Sequence, residues 1–538
     1  MRNVARKGDP TSTGGVIQEG DSSWLSEGSP TTYIGMIATC PSCKVGQGPI
    51  VAVGPRSIIG PGGPVALQGD YVACGCPSMS NVILPAQGTT VGDNMGPRAK
   101  AASTPVEPPA STLADSPPAS TLADSATAPI VPLVDQIETR VGIFFDGTQN
   151  NRHNSELREQ CEQASVPACQ SIEKLIGTNS SYDGGATNIA RLHQAYVGQS
   201  LYIEGIGTSA GKTDSTLDMA FGSGSTGVIA RAKEGLTKIT NMITNLPSGP
   251  VAVDVFGFSR GGAAARHFVN LLNDSKLGRP VRVAFVGLFD TVAAIGPDTT
   301  DDENGSVRLY IAPGAAEKVV QLAAQNEYRE NFALNSVRPD HTEILLLGTH
   351  SDIGGGYIAH EERTPIMRPY DAILKFGDDA AYKRFEATAN ERLQEAGRHY
   401  IGYVKDPSQI KPVIQKFAVV SKTDHPMVGY VANAIMTRMV KPELQLLSGH
   451  LMQHIAQESG VPINAIVEPV PGELAFLYSK YLDMQSGAEI TLSEEQQKLL
   501  MTEYVHCSDS WNPAISHLYV NAPAPGRVRR VYQQSPGK

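Results

Sequence analysis

The sequence VAVDVFGFSRGGAAA at residues 251–265 joins an apolar run to a run of small residues through a serine between two glycines. The apolar part, Val251–Phe256, is typical of a buried strand, and the residues after Ser259 are typical of a closely packed helix. The whole fits a Gly-x-Ser-x-Gly strand–turn–helix, in which the serine hydroxyl stands exposed at the turn. The segment therefore predicts a serine nucleophile, with an ordinary turn and a helix-capping Ser259 as the alternative.

Three further apolar runs also end in polar residues. They are Val141–Phe145 before Asp146, Val281–Phe289 before Asp290, and Glu343–Leu347 before Gly348-Thr349-His350. Near-continuous apolar strands that alternate with helical segments are typical of a parallel sheet covered on both faces. Because functional groups gather at the carboxyl ends of such strands, we expect these polar residues to share one crevice. The predicted fold class is α/β.

A serine nucleophile needs a base that takes its proton and an acid that orients the base. Among the twelve histidines, His350 directly follows an apolar strand, and Asp290 ends the strand before that one. The chain order Ser259, Asp290, His350 is the nucleophile–acid–base order of α/β-hydrolases. A capping role for Asp290 and a turn role for His350 are the alternatives.

Other polar residues compete for these roles or complete the site. Asp352 is a competing acid, and His506 is a competing base. An oxyanion hole requires two backbone N–H groups. We expect one from Arg260, after the nucleophile, and one from Gly147, in the loop after the strand Val141–Phe145.

The N-terminal residues 1–96 consist of short β-prone runs broken by Gly and Pro, without a helical period. This pattern predicts a small all-β unit. Four of the seven cysteines fall here, at Cys40, Cys43, Cys74 and Cys76. Four thiolates could hold a structural zinc ion in a closed tetrahedral site. Small buried thiols without a metal are the alternative.

The chain changes character twice more. Residues 97–137 are rich in Pro, Ala and Ser and nearly repeat the sequence ASTLADS, which predicts an extended linker. Residues 138–538 then hold the α/β domain, in which about 380–505 are expected to form a helical cap or lid. The apolar segment Met427–Met436 is a lid candidate, with a buried helix as the alternative.

The composition excludes several classes of protein. In 538 residues, 41% are hydrophobic and 18% charged, which excludes wholesale disorder. The net charge is −10, from 44 Lys+Arg and 54 Asp+Glu, and no basic run is present, so we expect no nucleic-acid partner. No signal peptide or membrane-spanning segment is visible, which predicts a soluble chain made in the cytoplasm.

Residues roughly 5–96 resemble the PAAR-like spike-tip domains of type VI secretion. The resemblance rests on Gly8–Gly15, on the Cys-Pro-Ser-Cys segment that ends at Cys43, and on Val65–Asp70 before Cys74. Members of this family often hold zinc mainly through His ligands, and Thr13 stands where a His is common. The resemblance thus implies either an all-Cys site or no metal.

Residues roughly 138–535 are similar to the type VI lipase effectors, which are antibacterial phospholipases with the α/β-hydrolase fold. The matching segments are 144–151, 185–192, 202–208, 257–261, 289–292 and 350–357. By this resemblance, Ser259, Asp290 and His350 take the triad roles. His506 and Asp509 recur as a family-like pair.

Together, the two resemblances imply a spike-tip effector with a phospholipase A-type serine esterase that needs no cofactor for catalysis. The β unit would cap a trimeric spike protein, and the type VI system would secrete the chain. The enzyme would cleave acyl esters of glycerophospholipids in the periplasm or membrane of the target cell. A cognate immunity protein would protect the producing cell.

Three other functions stay open. The strand-end residues Asp146, Asp290, His350 and Asp352 could hold two metal ions for a metal-dependent hydrolase. The chain could instead be a non-enzymatic spike cap with an inert C-terminal domain as cargo. A serine hydrolase could also act on a different ester, such as peptidoglycan O-acetyl groups or a small soluble ester.

Overall fold

The computed structural model divides the chain into two compact units, Met1–Thr127 and Ala128–Lys538. It describes residues 2–26, 28–43, 46–52, 59–60, 63–74, 76, 81–85, 90–91, 138–163, 169, 181–214, 222, 224–295, 304–419, 427–484, 490–513 and 519–536. The predicted linker at 97–137 lies outside the described residues, so its boundaries stay a prediction.

The first unit is built from short antiparallel strands. They are β1 (Arg2–Asn3), β2 (Asp21–Ser26), β3 (Ser29–Thr31), β4 (Ile37–Thr39), β5 (Gln47–Val51), β6 (Ile59–Gly60), β7 (Gly63–Pro64), β8 (Tyr71–Val72) and β9 (Thr90–Val91). β1 pairs with β9, β2 with β3, and β6 with β7, while β4, β5 and β8 form a three-stranded sheet. Ile17, Ala38 and Ile50 are completely or almost completely buried in its small core. The prediction of a small β-rich N-terminal region is confirmed.

The second unit contains the expected parallel sheet. Its first strands are β10 (Thr139–Phe145), β11 (Ser200–Ile203), β12 (Val251–Phe258), β13 (Val281–Phe289), β14 (Lys318–Ala324), β15 (Leu334–Asn335) and β16 (Thr342–Leu346). All but β15 form one six-stranded sheet in the order β11-β10-β12-β13-β14-β16, and every pair in it is parallel. Every residue of β12 is buried, as its apolar sequence predicts for a central strand.

Helices cover both faces of this sheet. The helices are α1 (Arg152–Gln163), α2 (Asn188–Ala195), α3 (Val228–Thr244), α4 (Arg260–Asp274), α5 (His350–Gly354), α6 (Asp379–Tyr400), α7 (Leu444–Glu458), α8 (Ala475–Leu482) and α9 (Glu494–Glu503). One hydrophobic cluster joins the sheet to α2 and α7, and another joins it to α3 and α4. The prediction of an α/β-hydrolase-like fold is confirmed.

A second, antiparallel sheet corrects the expectation of a helical cap. It contains β17 (His360–Pro365), β18 (Tyr370–Lys375), β19 (Ile410–Ala418) and β20 (Met427–Val440). The strands β17, β18 and β19 each pair with β20. The segment Met427–Met436 is therefore strand, and the buried-helix alternative for it is wrong. Ala432, Ala434 and Met436 are buried and the residues between them are less so, because successive side chains of a strand point to opposite faces of the sheet.

The remainder of about 380–505 is mixed rather than uniformly helical. Helices α6 to α9 lie within it, together with β19 and β20. Among the described residues, none of the helices combines the length and the apolar character that a bilayer crossing requires. The last strand, β21 (Val531–Tyr532), pairs in parallel with β15 and ties the C-terminal segment to the α/β unit.

Candidate active site

Ser259 occupies a sharp turn between β12 and α4. Its backbone has φ 57° and ψ −129°, a left-handed conformation that residues with a side chain rarely adopt. A Cβ added at Gly257 would lie 2.7 Å from the carbonyl oxygen of Gly261, and one at Gly261 would lie 2.2 Å from that of Asp146. The two glycines of the sequence motif therefore allow the close backbone packing that holds Ser259 in this turn.

The contact of Gly261 yields a stability prediction. Gly261→Ala is expected to lower the free energy of unfolding by about 2–4 kcal/mol, since a backbone oxygen has little room to move away. Urea unfolding of the full chain measures this. Gly397→Ala in α6 is the matched control, because a Cβ there meets nothing within 4 Å and alanine favours a helix. Equal stability of Gly261→Ala and the wild type would contradict the packing described.

Asp290 and His350 form a hydrogen-bonded pair beside this turn. His350 Nδ1 lies 2.5 Å from Asp290 Oδ2, and both side chains are buried. The ring of Phe258, the residue before Ser259, packs against the His350 ring with 4.7 Å between centroids. The Ser259 amide donates to the carbonyl of Phe289, the residue before Asp290, at 3.1 Å. The structure thus brings the three residues of the predicted triad to the same end of the sheet.

The charges around this pair favour an ionised acid and a neutral base. Burial alone would raise the pKa of Asp290, but Arg529 and His350 outweigh burial and hold that pKa well below its usual range. Burial lowers the pKa of His350, and the bond to Asp290 offsets only part of this effect. A neutral imidazole whose Nδ1 is held by a carboxylate has Nε2 available to accept a proton.

The competing acid and the competing base contact each other. His506 Nδ1 lies 2.7 Å from Asp352 Oδ1, and the His506 amide donates to Asp352 Oδ2 at 3.1 Å. Thr349 also donates to Asp352 through its amide and its hydroxyl, which caps α5. The Tyr357 ring stacks on His506 with 3.7 Å between centroids. The site region therefore holds two separate buried His–Asp pairs.

Asp509, the family-like companion of His506 in the sequence, has other partners. Its Oδ2 accepts a hydrogen bond of 2.5 Å from the Tyr400 hydroxyl and another of 2.5 Å from Arg527 Nη1. Proximity in the chain thus does not make His506 and Asp509 an acid–base pair here. The contact of His506 with Asp352 spans 154 residues of sequence.

The two residues predicted for the oxyanion hole lie on either side of the turn. Arg260 begins α4 directly after Ser259, and its Nε lies 3.2 Å from the carbonyls of both Ala293 and Ala294. Burial lowers the pKa of Arg260 to about 10, so its side chain stays charged at neutral pH. The Gly147 amide donates to the carboxylate of its neighbour Asp146 at 2.7 Å, so it is already engaged in this structure.

Asp146 anchors the loop that carries Gly147. Its Oδ2 accepts from the Tyr202 hydroxyl at 2.5 Å and from the Thr187 hydroxyl at 2.8 Å. Burial raises the pKa of this carboxyl to about 6, although all three donors oppose the effect. With its oxygens taken up by protein donors, Asp146 serves as a support for the loop.

Sequence reasoning missed two charged residues that contact the pair. Arg529 donates to Asp290 Oδ1 at 2.7 Å and to Asp290 Oδ2 at 2.8 Å. Glu327 accepts a hydrogen bond from the His350 amide at 3.3 Å. Burial alone would raise the pKa of Glu327, but Arg329 outweighs burial and lowers this pKa to about 2. No local pattern marks Arg529, whereas Glu327 follows the mostly apolar run Val319–Ala324, a strand-end signal of the kind that marked Asp290 and His350.

The four cysteines of the first unit form a cluster suited to a metal ion. The sulfurs of Cys40, Cys43, Cys74 and Cys76 all lie within 4.8 Å of one another, and this is the one such ligand group within the part of the chain described. Cys40 Sγ and Cys76 Sγ are 3.8 Å apart. Zinc–sulfur bonds of about 2.3 Å in a tetrahedron place the sulfurs about 3.8 Å apart, so the donors fit zinc.

Another pair of cysteines is joined covalently. Cys161, near the end of α1, forms a disulfide with Cys169. The sequence analysis did not anticipate this bond, because a short spacing of two cysteines is no evidence of pairing by itself.

A parallel sheet covered on both faces, with a strained Gly-x-Ser-x-Gly turn at the end of β12, defines the class of α/β-hydrolase-like proteins. Two family matches narrow this class. Residues 7–80 match the PAAR motif, and residues 273–370 match the catalytic domain of Tle1-like phospholipase effectors of the type VI secretion system.

The chain also has relatives among solved structures. The Tle1 effector bound to the VgrG spike from the type VI secretion system is similar at 27% identity and a TM-score of 0.55, over 74% of this chain and 94% of that chain. An uncharacterized protein from Pseudomonas aeruginosa has 19% identity and a TM-score of 0.28, over 41% of this chain and 42% of that one. No curated protein matches.

These matches confirm the predicted combination of an N-terminal PAAR motif with a Tle1-like phospholipase effector domain. They support the prediction of an antibacterial phospholipase effector that the type VI system secretes.

Proposed function

We propose that the chain is a phospholipase A-type serine esterase that acts on membrane glycerophospholipids. The observation that carries the proposal is the strained Ser259 turn beside the buried Asp290–His350 pair. A serine, a neutral imidazole and an ionised carboxylate are the three groups that acyl transfer through a covalent intermediate requires. The match of residues 273–370 to phospholipase effectors supports the choice of a lipid ester.

The reaction follows from the roles of the three side chains. Ser259 Oγ attacks the acyl carbonyl carbon while His350 Nε2 takes the hydroxyl proton. Asp290 keeps Nδ1–H oriented and stabilises the imidazolium that forms. The tetrahedral intermediate then expels the lysophospholipid alkoxide, which receives the proton from His350. Water, activated by the same imidazole, hydrolyses the acyl-enzyme and releases the fatty acid.

Two backbone amides are proposed to stabilise the oxyanion. The Arg260 amide stands at the start of α4, where helix N–H groups point toward negative charge. The Gly147 amide is the second, and it has to exchange its bond to the Asp146 carboxylate for one to the oxyanion. Arg260 Nη1 reaches Thr148 Oγ1 at 3.4 Å, which ties the loop of Gly147 to the turn of Ser259.

Delivery is proposed to depend on the first unit. The PAAR motif at residues 7–80 supports docking of this unit on the tip of a trimeric VgrG-type spike protein. The relative named as a Tle1 effector was solved bound to a VgrG spike, which supports the same kind of partner. We further propose a cognate immunity protein in the producing cell, and action in the periplasm or membrane of the target cell.

A structural zinc ion is proposed for the first unit, held by Cys40, Cys43, Cys74 and Cys76. The spacing of the sulfurs supports zinc, and thiolates satisfy its preference for soft donors. Thr13 Oγ1 lies 3.5 Å from Cys40 Sγ, so this position, where relatives often carry a His ligand, is occupied by a residue that contacts a cysteine ligand instead. Catalysis by the second unit involves no step at this site.

The proposal is tested with the purified full chain and vesicles of phosphatidylethanolamine and phosphatidylglycerol. Fatty acid and lysophospholipid are quantified by mass spectrometry, with and without EDTA and after treatment with a fluorophosphonate. We expect release that EDTA leaves unchanged and that the fluorophosphonate stops, with the label on Ser259. A serine enzyme reacts with this reagent because the nucleophile is activated.

Each other outcome selects an alternative. Release that EDTA abolishes and the fluorophosphonate leaves intact would favour a metal-dependent hydrolase. Labelling of Ser259 without lipid release would favour another ester, to be tested with acetylated peptidoglycan and small soluble esters. Neither labelling nor release would favour an inert spike cap.

A further inference from the structure

The Arg529 guanidinium donates two hydrogen bonds to Asp290, the acid of the proposed triad. Nη1 lies 2.7 Å from Asp290 Oδ1, and Nη2 lies 2.8 Å from Asp290 Oδ2. The same Oδ2 accepts the 2.5 Å bond from His350 Nδ1. Asp290 is completely buried, and the Arg529 side chain is 8% exposed. A two-pronged, water-excluded contact of this kind fixes the plane of a carboxylate as well as its charge.

The chain holds Arg529 in place independently of Asp290. Arg529 Nε donates to the carbonyl of Phe332 at 2.8 Å, and Nη1 also donates to the carbonyl of Ala324 at 3.2 Å. The neighbouring strand β21 pairs with β15, so the backbone on the C-terminal side of Arg529 is fixed as well. The guanidinium is therefore preorganised, and the carboxylate orients against it.

Asp290 accepts one further hydrogen bond. The Ala324 amide donates to Oδ1 at 2.8 Å, so the two oxygens together receive four hydrogen bonds. Such a carboxylate has little freedom to rotate, and its Oδ2 stays directed at the imidazole. A serine triad requires this orientation, because the acid acts by holding the imidazole in one tautomer.

The cation also affects how readily His350 takes up a proton. The charged groups that act directly on His350 are Asp290, Glu327 and Arg329, and Arg529 is linked to the imidazole through Asp290. The carboxylates raise the pKa of His350 and Arg329 lowers it, while burial is the largest cause of its lowered value. Arg529 pairs with Asp290 and so offsets part of the negative charge that favours the imidazolium.

We propose that Arg529 is a positioning residue that acts through Asp290 and extends the working range of His350 as a base toward lower pH. The inference rests on the proposed function, since it takes Asp290 and His350 as acid and base. Through Arg529 alone, the C-terminal segment supports the acid of the triad, although Arg529 touches neither the substrate nor the reacting atoms.

The test compares Arg529→Gln and Arg529→Lys in the full chain. The initial rate of phospholipid hydrolysis is measured from pH 4 to 9, because the acidic limb of kcat/KM reports the base of the free enzyme. Arg529→Gln is expected to shift the acidic limb to higher pH by about one unit and to lower the plateau rate about 10–100-fold. Arg529→Lys keeps the charge but not the two-pronged contact, so the limb stays within about 0.3 unit while the plateau falls at least about 5-fold.

Arg530→Gln is the matched control, because Arg530 follows directly and pairs with Glu330 at the surface. It is expected to leave both the limb and the plateau unchanged. A plateau loss in Arg529→Gln without movement of the limb would reduce Arg529 to a structural role and overturn the inference. If Arg529→Gln does not fold by near-UV circular dichroism, Arg529→Lys decides, and wild-type behaviour of that variant overturns the inference.

Failure of the inference is distinguishable from failure of the proposed function. Ser259→Ala is assayed in parallel with the Arg529 variants. Hydrolysis of phospholipid by Ser259→Ala would contradict the proposed triad itself. An inactive Ser259→Ala together with an unmoved acidic limb in Arg529→Gln would leave the triad in place and remove only the role of Arg529.

Discussion

His350→Ala is expected to lower kcat/KM for phospholipid hydrolysis by about 10⁴-fold or more, and Ser259→Ala by a similar factor. The two losses should resemble each other because nucleophile and base act as one unit, so removal of either leaves the other without a function. The double variant should be no less active than either single one. Fatty-acid release from vesicles by the full chain measures all three.

The second buried pair supplies the matched comparison. His506→Ala removes a histidine that is equally buried and also bonded through Nδ1 to an aspartate. We expect a loss of stability of about 1–3 kcal/mol, because the Asp352 carboxylate loses a partner in a buried site. The rate per folded molecule should stay within about 10-fold of the wild type, since packing alone and not proton transfer is disturbed. Loss of 10⁴-fold in His506→Ala and activity in His350→Ala would reverse the assignment.

Removal of two cluster cysteines is expected to eliminate zinc from the protein and to unfold its first unit. In Cys40→Ser/Cys74→Ser, two of the four thiolates are missing, and a structural site of this kind contributes roughly 10 kcal/mol of apparent binding free energy. Cys40 and Cys74 themselves lie in the core of this small unit, so we expect its stability to depend strongly on such a cross-link. We expect one zinc per chain in the wild type, measured by plasma mass spectrometry, and none in the variant.

Calorimetry of the full chain provides the second readout for zinc. A chelator added to the wild type should shift the unfolding of the first unit to lower temperature, as the variant does, and leave the unfolding of the second unit in place. Cys507→Ser is the control, because Cys507 is a buried free thiol outside the cluster. A metal-free wild type whose unfolding a chelator does not alter would reduce the four cysteines to small core residues.

Helix α5 contributes one residue to each of the two His–Asp pairs. Asp352 belongs to α5, as does His350, and their side chains bond to different elements. A short helix thus offers its histidine to one aspartate and its aspartate to another histidine. Each pair also joins distant parts of the chain, so a substitution in either pair can lower stability as well as turnover. The activity of such a variant therefore has to be measured per folded molecule.

Much of the site could be predicted because it depends on local sequence and on the topology of a parallel sheet. The glycines around Ser259 mark the tight turn, since any side chain at Gly261 would meet backbone. Asp290 and His350 could be placed together because both follow buried strands, and parallel strands end on one edge of the sheet. These inferences needed no knowledge of side-chain contacts.

The secondary structure of Met427–Met436 could not be predicted from its own sequence. A short apolar segment suits a buried helix or a strand equally well, and only its neighbours decide between them. In the fold, β18 and β19 flank this part of β20 and supply hydrogen bonds on both sides. The pairing partners come from separate parts of the chain, so the periodicity of the segment alone did not contain the answer.

By itself, the sequence determined the β-rich N-terminal unit, the parallel sheet, the Ser259 turn and the strand-end positions of Asp290 and His350. Tertiary structure alone decided that His506 bonds to Asp352, that Tyr202 and Thr187 donate to Asp146, and that Arg529 holds Asp290. The contact of Arg529 with Asp290 joins residues 239 positions apart. Local patterns report how a segment folds, whereas contacts of this range exist only once the sheet has brought separate segments together.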